Sequence, residues 1–83
     1  MRTGQYILVV EDEPKIREGL QDFLEFHGFC VTGAADGLAA ERLAAERRFD
    51  LILLDLRLPQ ISGEPVCSKW RQAGLRTPTL LLP

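Results

Sequence analysis

Three carboxylates stand where apolar runs stop. Tyr6-Ile7-Leu8-Val9-Val10 ends in Glu11-Asp12-Glu13-Pro14, and Leu51-Ile52-Leu53-Leu54 ends in Asp55. A short, unbroken apolar run reads as a strand buried on both faces, as in the middle of a parallel sheet. Open parallel sheets bind their ligands outside the carboxyl ends of the strands. If the first and third strands are neighbours, Glu11, Asp12 and Asp55 converge on one small cleft. Like charges so crowded raise one another's pKa unless a cation neutralises them. An all-oxygen, strongly anionic donor set suits Mg2+ or Mn2+ better than a soft metal. A plainer reading stands beside this one. Acids that follow a strand also complement the positive end of the next helix. That serves Glu11, Asp12 and Glu13 well. It serves Asp55 poorly, because a bare carboxylate at the end of a central apolar run has no structural purpose.

The elements that must position these acids alternate. The first strand, Tyr6 to Val10, leads to a helix with Pro14 in its first turn, where the missing N–H costs nothing. Ile16, Leu20, Phe23, Leu24 and His27 follow at helical spacing, and Gly28 is placed to end that helix. Phe29-Cys30-Val31-Thr32 is a second strand. Asp36 is a possible N-cap for a second helix that runs to Arg47 or Arg48. The third strand is Leu51 to Leu54, stopped by Asp55. A third helix starts at Glu64-Pro65, buries Val66, Trp70 and Ala73, and ends at Gly74. Thr77-Pro78 introduces a fourth strand, Thr79 to Leu82. Strands alternating with helices imply right-handed βαβ units on a parallel sheet, an α/β fold of order βαβαβαβ.

Composition narrows the functions. Eighty-three residues make one domain, with no room for a separate substrate domain. A hydrophobic content of 46% places the chain among globular proteins rather than disordered ones. The net charge of −2 offers no electrostatic footprint for nucleic acid. One His and two Cys cannot complete a four-ligand zinc site, and Cys30 and Cys67 read as small core residues of a reducing compartment. No stretch approaches the roughly 20 apolar residues of a membrane helix. A soluble, cytoplasmic protein with no membrane partner is expected.

The same residues carry a family resemblance. Ile7-Leu8-Val9-Val10-Glu11-Asp12-Glu13-Pro14 resembles the first strand and acid pair of the receiver domain of bacterial two-component response regulators. Asp36-Gly37 resembles the start of its second helix. Leu51-Ile52-Leu53-Leu54-Asp55-Leu56-Arg57-Leu58-Pro59, with Gly63 beyond, resembles its phosphoacceptor strand and loop, and Thr77-Pro78 the entry to its fourth strand. The resemblance covers nearly all of residues 1–83 and implies a flavodoxin-like parallel sheet with helices on both faces and strand order 2-1-3-4-5. That order puts strands one and three side by side. It further implies that Asp55 accepts a phosphoryl group from a sensor histidine kinase. Asp12 and Asp55 would be direct Mg2+ ligands, with Glu11 acting largely through water and the backbone carbonyl of Arg57 completing the set. Such a domain is no enzyme, beyond Mg2+-dependent phosphorylation and dephosphorylation of itself.

Set against that family, the chain stops after the fourth strand. By that resemblance Pro83 would stand where receivers carry a Thr or Ser, and the given residues would lack the fourth helix, the fifth strand with its Lys, and the fifth helix. Phosphorylation is then expected to switch the domain less well. Leu80, Leu81 and Leu82 would lie on an uncovered edge, which invites pairing with another copy. A homodimer or larger oligomer through the fourth-strand region is expected. Competing functions are an interaction module that is never phosphorylated and a Mg2+-dependent phosphohydrolase with a strand-end Asp nucleophile. The hydrolase pattern wants a second Asp where Arg57 stands. A dinucleotide-binding half-domain fits worse, because Glu-Asp-Glu-Pro would repel a pyrophosphate and lacks the glycines. His27 reads as a partner for a helix C-terminal dipole, Cys67 and Trp70 as packing, and Lys15 and Lys69 as solvated surface.

Overall fold

The computed structural model describes residues 4–55, 71–72 and 77–82. Within them run β1 (Tyr6–Val10), α1 (Pro14–Phe26), β2 (Cys30–Ala34), α2 (Gly37–Glu46), β3 (Leu51–Asp55) and β4 (Thr79–Leu82). All four strands pair in parallel, in the order β2-β1-β3-β4. The third helix expected from Glu64-Pro65, with Val66, Cys67, Lys69, Trp70 and Ala73, lies outside the described residues, apart from a helical Arg71-Gln72. Among the described residues, no helix is long and apolar enough to cross a membrane.

β1 and β3 read as continuous apolar runs because both of their faces are covered. Leu8, Val10, Ile52 and Leu54 face a core that Ala40, Phe49 and Ala34 share and that α2 closes with Ala39 and Leu43. Ile7, Val9 and Leu53 face the other way, toward Leu20 and Leu24 of α1 and Phe29, Val31 and Leu51. The helices therefore lie on opposite faces of the sheet. Leu8, Ile52 and Leu54 are wholly buried, so truncating any one to Ala would cost about 2–5 kcal/mol.

Local signals bound α1 and open α2 where the chain predicts. Pro14 opens α1, and Gly28 follows it at φ 93°, a conformation that a side chain disfavours. The Asp36 carboxylate accepts a hydrogen bond from the Ala39 N–H at 2.8 Å and caps α2. Three details differ from the sequence reading. β2 spans Cys30–Ala34 rather than Phe29–Thr32, because it pairs rung for rung with all of β1, from Tyr6–Cys30 to Val10–Ala34. Pairing outweighs the poor strand propensity of Gly33 and Ala34. As the outermost strand on its side, β2 leaves Cys30 half-buried rather than in the core. α2 stops at Glu46, since Arg47 turns extended and reaches back to Thr32 Oγ1 at 3.4 Å.

α1 sits off-centre. Arg17 and Gln21 lie against Gly33 of β2, and Leu20 and Leu24 touch the sheet. The opposite flank, toward β3 and β4, keeps Ile16 46% and Phe23 60% exposed. His27 is the C-cap of α1, and its ring packs against Phe23 (centroids 4.7 Å apart) and Phe26 (5.4 Å).

Candidate functional site

Strand register builds the site. Val10 pairs with Leu54, so the next rung sets Glu11 beside Asp55. Side chains alternate along a strand, and these two follow Val9 and Leu53, so both leave the sheet on the α1 face. Both are buried, Glu11 at 4% and Asp55 at 2% exposure, whereas Asp12 is exposed. One oxygen from each of Glu11, Asp12 and Asp55 lies within 4.8 Å of the others. The three line an open cleft of about 300 Å3 together with Glu13 and Ile16. Sequence reasoning expected these three acids to converge, and the sheet brings them together. The Arg57 carbonyl, the fourth expected ligand, lies outside the described residues.

Crowding has an electrostatic result. Glu11 is pushed up from 4.5 to about 7, first by burial, then by its hydrogen bond to the Asp55 carboxyl and by the charge of Asp55. A hydrogen bond with the Glu13 backbone pulls the other way, and the Asp12 charge adds a smaller upward push. Near neutral pH the fold thus holds an extra proton on this cluster. The donor set is oxygen only, and two of its members are buried like charges. A hard divalent cation would relieve the repulsion that now retains the proton, so these residues fit such an ion.

The helix-dipole reading accounts for less. Glu13 is the N-cap of α1, yet its side chain makes no cap hydrogen bond. The Glu13 N–H instead donates to Glu11 Oε1 over a long 3.4 Å. The backbone of Glu11 is held more firmly. Its N–H donates to the Ala34 carbonyl at 3.0 Å, and its carbonyl accepts from Arg17 Nη1 at 2.8 Å. Arg17 escaped the sequence reading. Its only signal was a basic side chain in the second turn of the helix after the acids, which is also the pattern of a solvated surface residue.

The fold and the acid cluster define a class, and comparison with known proteins gives it a name. The profile of the response regulator receiver domain matches residues 7–82. Response regulator MprA of Mycobacterium sp. (strain KMS) is 41% identical over 76 residues, which cover 92% of this chain and 33% of that protein. Chemotaxis response regulator CheY4 of Vibrio cholerae superposes with a TM-score of 0.88 at 32% identity, over 95% of this chain and 68% of that one. Response regulator TrrA of Thermotoga maritima, solved in complex with Mg2+-BeF, gives 0.80 at 34% identity, over 93% and 65%. This chain belongs to the receiver domain family of response regulators, which are signalling domains rather than conventional enzymes. It spans about a third of the length of the curated relatives it matches.

Proposed function

We propose that this chain is a cytoplasmic phosphoacceptor of a two-component system, in which Asp55 receives a phosphoryl group from the phosphohistidine of a sensor kinase. The observation that carries this reading is the Glu11–Asp55 rung, two buried carboxylates side by side with Asp12 at the mouth of one cleft. One Asp55 oxygen attacks phosphorus, the P–N bond to the kinase breaks, and the histidine leaves with the electron pair and takes up a proton. Phosphoryl transfer asks for in-line placement and charge neutralisation more than for an acid or base. A Mg2+ or Mn2+ ion held by Glu11, Asp12, Asp55 and the Arg57 carbonyl would supply that neutralisation. The chain's own part is to hold Asp55 at a fixed strand end, lining the cleft beside Glu11 and Asp12. The likeness to TrrA with its Mg2+-BeF supports the choice of ion.

Incubation with Mg2+ and a small acyl phosphate should add the mass of one phosphoryl group. The adduct should be labile to hydroxylamine, as an acyl phosphate is, and absent from Asp55→Asn. No adduct on the folded chain, or an equal adduct on Asp55→Asn, would refute the assignment and favour an unphosphorylated interaction module.

A second activity has its own observation. Leu80 of β4 is 53% exposed, and among the described residues the outer edge of β4 pairs with no strand. We propose that this edge also serves self-association.

A further inference from the structure

We infer that Arg17 is a positioning residue for the acid cluster, and that Gly33 is glycine to let its side chain through. The inference rests on the metal-binding reading of Glu11, Asp12 and Asp55. The carbonyl of Glu11 and the N–H of Asp12 belong to one planar peptide unit. Whatever fixes that carbonyl fixes the plane of this unit and the place of the Asp12 Cα, from which the Asp12 side chain departs. Arg17 Nη1 donates to this carbonyl at 2.8 Å from six residues away, while the Glu11 N–H is tied to Ala34 at 3.0 Å. The residue that bridges the buried and exposed acids is therefore clamped on both sides, by β2 and by α1. Asp12 is exposed, and among the described residues no hydrogen bond to its side chain duplicates this restraint.

The route of the Arg17 stem shows a cost accepted elsewhere. A Cβ on Gly33 would lie 3.1 Å from Arg17 Cδ and 2.6 Å from Gln21 Oε1. Gln21 can swing its amide away, but the Arg17 stem is pinned between its helix and the carbonyl it serves. A glycine within a strand sacrifices stability. Here it leaves space beside the Arg17 stem on its way from α1 to the acid loop. Arg17 turns its charge to a backbone carbonyl, so it steadies the loop without pairing with a carboxylate that a cation needs. Partners that orient metal ligands act in this way, and their loss commonly weakens metal binding about 10–100-fold.

Calorimetric Mg2+ titration of the full chain tests this, with thermal unfolding alongside. Arg17→Met keeps the apolar stem and removes the donor, and we expect it to weaken Mg2+ binding by about tenfold or more. Arg17→Lys retains a cationic donor and should recover part of that loss. Gly33→Ala should weaken binding in the parent but add nothing to Arg17→Met, since both act through one hydrogen bond. Unchanged affinity in Arg17→Met would overturn the inference and leave the metal reading intact. So would a loss that follows Tm across the variants with no recovery in Arg17→Lys. No saturable binding by the parent, or binding that survives Asp55→Asn, would overturn the metal reading and this inference with it.

Discussion

Glu11 ionises near 4.5 in an unfolded chain and near 7 in the fold. Between these values the native state holds a proton that the unfolded chain has lost. Stability must therefore fall as pH rises through this window. Below it the penalty is absent; above it the penalty is complete, on the order of 3 kcal/mol. The proton is shared with a close neighbour, so the titration belongs to the Glu11–Asp55 pair. Glu11→Gln keeps the shape and removes the charge. Its Tm should exceed that of the parent at about pH 8, and the decline between pH 4.5 and 7 should flatten. Mg2+ should raise the parent's Tm most where Glu11 is ionised, since the ion must displace the proton to bind. A parent Tm that does not fall across the window would contradict this account.

At the scale of elements, what was legible was what the chain encodes locally. β1, β3 and β4 announce themselves as apolar runs, α1 by Pro14 and Gly28, and α2 by its Asp36 cap. Asp36→Ala should cost about 1 kcal/mol by freeing the Ala39 N–H. Gly28→Ala should cost about 1 kcal/mol or more through its positive φ. Urea unfolding with an unchanged m-value would measure both, and a neutral result at Asp36 would mean the cap is replaced by water. What was not legible is non-local. The last two residues of β2, Gly33 and Ala34, carry no strand signal and are recruited by Val9 and Val10. The acids could be seen at two strand ends, but their meeting depends on which strands are neighbours, and only the resemblance supplied that order. Arg17 was one basic residue among ten, and nothing in its spacing tells a side chain that turns back to a carbonyl from one that faces water.

Across the whole molecule, apolar surface is unevenly covered. The flank of α1 toward β3 leaves Ile16 and Phe23 exposed, and Leu80 pairs with Leu53 and so shares that face of the sheet. Self-association through β4 should depend on this surface. Leu80→Lys should shift the chain toward monomer in multi-angle light scattering, because a charged edge resists pairing. A parent that stays monomeric at high concentration would remove the proposed self-association while leaving the proposed phosphorylation of Asp55 untouched. The rung that joins Val10 to Leu54 has a consequence at this scale too. Side chains alternate with period two, so a slip of one residue between β1 and β3 would throw Asp55 onto the α2 face and split the carboxylates. A cation held by both strands can be held in one alignment alone. Its binding energy then counts only toward that alignment. An ion bound there would in this sense be a proofreading mark for the sheet, and refolding with Mg2+ present should favour the pairing that brings Glu11 and Asp55 together.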